Sequence, residues 1–194
     1  GVKVYTGLDL KKQMAAQEQV RAGLRTLDKR QGFRGPQKNI TEPPQVAEFL
    51  LETRNKVMDE ASPERVLKPD GTFNPRGPLN LSGKDEKGAT LPVLPAYIPI
   101  GKIVDAVVTK VDDAAGLVYV RFAESKGLID LETMAWARKP DANVRSEEAL
   151  LKKPSAALKS GDVIQVKVTA PEFKSERIAK MEIESKKKKK PLNL

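Results

Sequence analysis

Between Ile100 and Leu131 the chain reads IGKIVDAVVTKVDDAAGLVYVRFAESKGLIDL, three β-rich runs separated by turn signals. Ile103 to Val111 is dense in β-branched residues, which suit a pleated, half-buried surface. Asp112 to Gly116 breaks that run, and Gly116 can take the positive φ of a hairpin bend. The second run alternates, with Val118, Val120 and Phe122 on one side and Leu117, Tyr119 and Arg121 on the other. Ser125-Lys126-Gly127 reads as the next turn and Leu128-Ile129 as the start of a third strand. Further on, Val163 to Thr169 and Ile178 to Ile183 alternate in the same way. In the latter, Ala179, Met181 and Ile183 are assigned to the core. A hydrophobic helical turn at Leu131 to Arg138, burying Met134 and Trp136, and a helix from Ser146 through Lys153 fill the gap. Three strands, a helical connection and two strands predict a five-stranded OB-like barrel, mainly β with α.

The formal charge of +9 over 194 residues is uneven, because Lys186 to Lys190 supply five of the positive charges. Residues 97–184 carry 14 basic and 14 acidic side chains, so the barrel region is neutral and the basic balance says little about polyanion binding by the body. The lysine run reads as an exposed exit linker. Cys and His are both absent, which excludes disulfides, thiolate chemistry and imidazole catalysis. No cofactor motif and no metal-ligand spacing is found, and no apolar run is long enough to span a bilayer. The chain opens at Gly1 in what reads as a strand, without a signal peptide, and is expected to be a segment of something longer.

Two helices precede the barrel. Asp9 is the expected N-cap of a helix from about Leu10 to Arg30, with Leu10, Met14, Val20, Leu24 and Leu27 on one face. That face is expected to pack on its own domain. Gly32, Gly35 and Pro36 end it. A second helix starts at Thr41 to Pro44 and runs to about Glu60, its apolar stripe packed on the sheet. From Ser62 to Pro99 lie seven of the 14 prolines, in an extended connector whose length marks it as functional or mobile. The expected organisation is an approach segment at 1–36, a helix plus Pro-rich connector at 37–96, the barrel at 97–184 and the basic linker at 185–194.

VYTGLDLKKQ at Val4 to Gln13, followed by AGLRTLDKRQGFRGP at Ala22 to Pro36, resembles the class A penicillin-binding proteins, bifunctional cell-wall synthases. The resemblance rests on Tyr5, Thr6, Asp9, Asp28, Arg30, Gly32, Arg34, Gly35 and Pro36, and departs at Gly7, where the family usually has a second Thr. It implies that the transpeptidase region opens at this strand and helix and then leads into an inserted OB-like domain. It further implies residence on the periplasmic side of the bacterial inner membrane, contact with the transpeptidase domain of the parent chain, and, in some relatives, docking of an outer-membrane lipoprotein activator.

No catalytic residue is assigned. Lys159-Ser160-Gly161 matches a transpeptidase Lys-Ser-Gly element formally, and Ser185 to Lys188 is a Ser-x-x-Lys inside the lysine run, but a serine nucleophile needs a positioned base and an oxyanion site together. The acidic pairs Asp85-Glu86, Asp112-Asp113 and Glu147-Glu148 read as solvated charge. The alternative is an RNA-binding OB repeat, which the GLVYVRF…KGLIDL phrasing also resembles. Such a repeat needs a basic groove and stacking aromatics. Only Tyr119, with Arg121 beside it, is outward, so these two residues are carried as candidates for partner binding and the sequence reads against nucleic acid.

Overall fold

The computed structural model describes residues 3, 6–61, 70–71, 76–141, 143–145, 149–173, 175, 177–180 and 183. The β-branched run forms β2, Ile103–Asp112, and the hairpin bend at Gly116 (φ +63) returns the chain as β3, Leu117–Phe122. Val108 pairs with Val120 but Lys110 pairs with Tyr119, so Thr109 is an extra residue, a β-bulge. The bulge explains why the inward residues of β2 run Val104, Ala106, Val108 and then Val111 instead of keeping strict alternation.

The second turn differs from the sequence expectation. Phe122 pairs with Ser125 across a two-residue turn of Ala123 and Glu124, so β4 is Ser125–Asp130. Ala123 takes the positive φ (+48) that such a turn requires. Gly127 is inside the strand, for packing: a Cβ there would lie 3.1 Å from both Phe122 and Val120 side-chain carbons.

The fifth strand of the sheet also differs. The sheet is antiparallel in the order β1-β5-β2-β3-β4, with β1 at Lys38–Asn39 and β5 at Asp162–Lys167. Of the strand expected at Ile178 to Ile183, residues 178–180 and 183 are helical, as is Arg177, and Met181 lies outside the described residues; the Ser175 carbonyl accepts the Ala179 N–H at 3.0 Å. Ile178 is buried while Ala179 is exposed and Ile183 is 54% exposed, the reverse of the alternating assignment. Apolar residues at 178, 181 and 183 satisfy a helical period nearly as well as an alternating one, and a short run cannot arbitrate. With that segment helical, the sheet is open among the described residues: OB-like, and not a closed barrel.

Of the helix expected at Ser146 to Lys153, residues 146–148 lie outside the described ones and 149–153 are not helical. Pro154 disfavours the helical region for Lys153, which is extended (φ −143, ψ 133), and a 3-10 turn at Pro154–Ala156 follows. The Leu131 to Arg138 expectation is met in part: α3 covers only Leu131–Met134, and Met134 is buried while Trp136 is half-buried.

One face of the sheet holds the main core, built from Val104, Ala106, Val108, Val118, Val120, Phe122 and Ile164 together with Ile98, Met134 and Leu158. On the other face Phe49 and Leu50 of α2, Pro43–Ala61, pack with Val107, Val163 and Ile40. Helix α1, Leu10–Gln31, begins as expected, with the Asp9 carboxylate accepting the Lys12 N–H at 3.2 Å. Its expected burial does not occur: no residue of α1 is buried. Amphipathic spacing defines an apolar face but says nothing about whether its cover lies in the same fold.

Candidate docking surface

Tyr119 and Arg121 lie on the sheet face away from the main core, as their alternation requires, and both are half-buried. The Lys110 ammonium sits 5.2 Å from the centre of the Tyr119 ring. The Lys110 Nζ also pairs with Asp112 at 3.2 Å, so the ring has a cation over it drawn from its own hairpin. Arg121 is directly opposite Lys126 on β4. Neither side chain has an anionic partner among the described residues.

Of the residues that carried the resemblance, Tyr5 lies outside the described residues, Thr6 and Asp9 lie at the N-terminal end of α1, and Asp28 to Pro36 span its C-terminal end and the chain leading to β1. Thr6 and Pro36 are exposed. Asp9 caps α1, and Asp28 faces Arg34 at 3.8 Å in an exposed pair. Arg34 also donates to Gln31 at 2.9 Å. Gly35 is left-handed (φ +109) with open space around it. Gly32 is the constrained one: at φ +95, a Cβ would meet the Arg138 carbonyl oxygen at 2.7 Å. That close approach lets Phe33 donate to the same oxygen at 2.7 Å and meet Trp136 edge-on at 6.4 Å. Buried Arg138 reaches back to the Arg30 carbonyl at 3.2 Å.

Two buried charge networks hold the rest of this side together. Arg54, on the buried stripe of α2, donates to the carbonyls of Gly77 (2.8 Å) and Pro78 (3.0 Å) and lies 3.4 Å from Glu124. Glu124 also accepts from the Asn80 N–H and from the Tyr97 hydroxyl. Burial, then the charge of Glu124 and the hydrogen bond to it, push the Tyr97 hydroxyl well up, so it stays protonated and donates. The connector, 76–99, is thus clamped between α2 and the β3–β4 turn.

In the second network buried Asp130 accepts Nε and Nη2 of Arg177 (both 3.1 Å), the Ser175 hydroxyl (2.7 Å) and the Glu132 N–H (3.0 Å). Arg177 also donates to the Ala115 and Gly116 carbonyls, so the helical segment at 177–180 is tied to the β2–β3 hairpin. Burial pushes the Asp130 carboxyl up, but the Arg177 hydrogen bond, the Glu132 N–H, the Ser175 hydroxyl and the Arg177 charge together hold it below its ordinary 3.8. A carboxyl lowered on folding contributes stability that is full above the unfolded value and is lost as pH falls through the folded one. The urea midpoints of the unsubstituted chain and Asp130→Asn are therefore expected to differ at neutral pH and to converge as pH drops below 3.8. A gap that persists unchanged into acid would contradict the assignment.

Asp112 and Asp113, expected as solvated charge, are turn acceptors. The Ala115 N–H and then Lys110 lower the Asp112 carboxyl, and the Ser155 hydroxyl and N–H lower that of Asp113. Lys159-Ser160-Gly161 is a turn as well, with the Ser160 hydroxyl donating to the Thr109 carbonyl at 3.1 Å. Ser185 to Lys188 lies outside the described residues. Among the described residues no group of His, Cys, Asp and Glu could hold a metal ion. None of their helices is long and apolar enough to cross a membrane.

A model of the penicillin-binding protein OB-like domain matches residues 75–183, more than half of the chain. The chain belongs to that family. The match runs from the clamped connector through β2 to β5 and onto the Asp130–Arg177 network. Comparison with curated proteins and with solved structures gave no match. An OB-like domain of a penicillin-binding protein is a non-catalytic part of its parent, and peptidoglycan synthesis is the process that membership implies.

Sequence reasoning missed Arg54, Glu124, Tyr97, Asp130 and Arg177. One signal was present: Arg54 stands four residues after Leu50 and three before Val57, on the stripe of α2 that has to be buried. A charge at such a position needs a buried partner.

Proposed function

We propose that this OB-like domain is a docking and regulatory module of a class A, bifunctional penicillin-binding protein on the periplasmic side of the inner membrane. The glycosyltransferase and transpeptidase activities belong to other parts of the parent. The family match at 75–183 and the class A resemblance at Val4 to Pro36 support this reading together. The observation that carries it is α1. Leu10, Met14, Val20, Leu24 and Leu27 are 52–65% exposed along one helix, while the sheet completes its core without them. An apolar stripe of that length needs cover. The transpeptidase region of the same parent, which the resemblance says begins here, supplies it.

The test is made in the full-length parent. Removing residues 37–184 is expected to abolish stimulation by the outer-membrane lipoprotein activator while glycosyltransferase turnover continues. Stimulation that survives the deletion would refute docking by this domain. A transpeptidase rate unchanged by the deletion, with or without activator, would refute regulation.

A further inference from the structure

The sheet ends at β4. In an antiparallel pair, alternate residues turn their N–H and C=O groups toward the neighbour and away from it. The two-residue turn makes Phe122 and Ser125 a hydrogen-bonded pair, and Leu131 N–H donates to Gly116 O at 2.9 Å in the same parity. Ser125, Gly127 and Ile129 therefore face β3 with their backbone groups, and Lys126 and Leu128 face outward. Those outward N–H and C=O groups have no partner among the described residues.

The flanks of this edge are chemically distinct. On the outer face lie Lys126, exposed, with Arg121 directly across from it, and half-buried Leu128 across from Tyr119. Like charges opposite each other in a sheet are mutually unfavourable, and nothing among the described residues neutralises these two. On the inner face lies Ile129, half-buried at the margin of the core. A strand added to this edge would place alternate residues beside Lys126 and beside Ile129.

We infer that the β4 edge receives an extended acidic segment of a partner polypeptide, which adds as a sixth strand with carboxylates beside Lys126 and Arg121 and apolar residues beside Ile129. Main-chain hydrogen bonds to Lys126 and Leu128 supply the attachment, and the two cations supply the selectivity. An edge lysine also guards against unwanted pairing. Here it discriminates among occupants: a second copy would bring the same two cations to the same edge and is repelled, whereas an acidic strand is attracted. The inference rests on the docking reading above and assigns it a face.

The test uses the 194-residue chain and a fluorescein-labelled hexapeptide alternating Glu and Val, with a Lys–Val peptide as control. The Glu–Val peptide is expected to bind saturably and to slow hydrogen exchange at the Lys126 and Leu128 amides. Leu128→Pro removes one outward donor without touching the β3 ladder, as edge positions allow, and is expected to weaken binding about ten-fold. Lys126→Glu, at an exposed position that does not threaten folding, is expected to reverse the preference toward the Lys–Val peptide. Equal binding of both peptides, protection of amides elsewhere, or concentration-dependent self-association through this edge would each overturn the inference. In the full-length parent, an activator response intact in Lys126→Glu overturns the edge assignment and leaves docking standing. No response in the unsubstituted parent overturns docking itself, and the peptide assay then still decides the edge.

Discussion

Arg54→Ala is expected to destabilise the fold by about 3–5 kcal/mol, the range for breaking a buried ion pair from one side. The guanidinium side chain is 4% exposed, and its removal strands the Gly77 and Pro78 carbonyls as well as the partly buried Glu124 carboxylate. The effect has a location. Asn80 and Tyr97 are held by the same Glu124, so the connector should loosen before the sheet does. Urea unfolding gives the magnitude, and amide exchange at Asn80 compared with Val107 gives the location. Restoring size without charge in Arg54→Met together with Glu124→Gln should recover part of the loss, because no carboxylate is then left without its cation. A single substitution with a neutral effect would mean that the clamp is not closed in solution.

Gly161→Ala is expected to cost about 2–4 kcal/mol, as left-handed backbone and steric overlap combine. Gly161 has φ +87, and a Cβ would lie 2.6 Å from the Ile40 carbonyl oxygen and 2.9 Å from the Thr41 methyl. Its N–H donates to Val108 and its carbonyl accepts from Ile40, both at 2.8 Å, so it joins the β2 bulge to the segment following β1. Asp162, next to it, accepts from Lys159 N–H and from Asn39. An added methyl therefore pushes β1 off β5 and disturbs the bulge at once. Gly35→Ala is the control, since φ is +109 there but a Cβ meets nothing within 4 Å. It should cost less, about 1–2 kcal/mol. Thermal or urea unfolding of the two variants separates steric contact from backbone strain. Equal losses would show that the close approach at Gly161 contributes nothing.

Much of the sheet was legible because alternation is a local property. β3 follows its apolar pattern, and the Gly116 and Gly161 bends fall where glycine was needed. The turn at Ala123-Glu124 was not legible. Ala carries no turn signal, and the glycine that did, Gly127, is required by Phe122 and Val120 packing across the strand. The helical state of 177–180 was likewise hidden, because Arg177 finds Asp130 only after β4 has brought that carboxylate to the end of the hairpin. For the candidate surface, the outward placement of Tyr119 and Arg121 followed from parity alone. The open β4 edge beside them depended on which strands pair.

The sequence by itself determined the faces of β3, the N-cap of α1 and the glycine bends at Gly116 and Gly161. These depend on contacts a few residues apart, through side-chain period, capping chemistry and the conformational range of glycine. The tertiary structure alone decided that α1 is uncovered, that β1 takes the place expected of 178–183, and that Arg54 clamps the connector through Glu124, 70 residues away. Each of these is a choice of partner for a face, an edge or a charge. A one-dimensional pattern states that such a group needs a partner, and only folding brings one within reach.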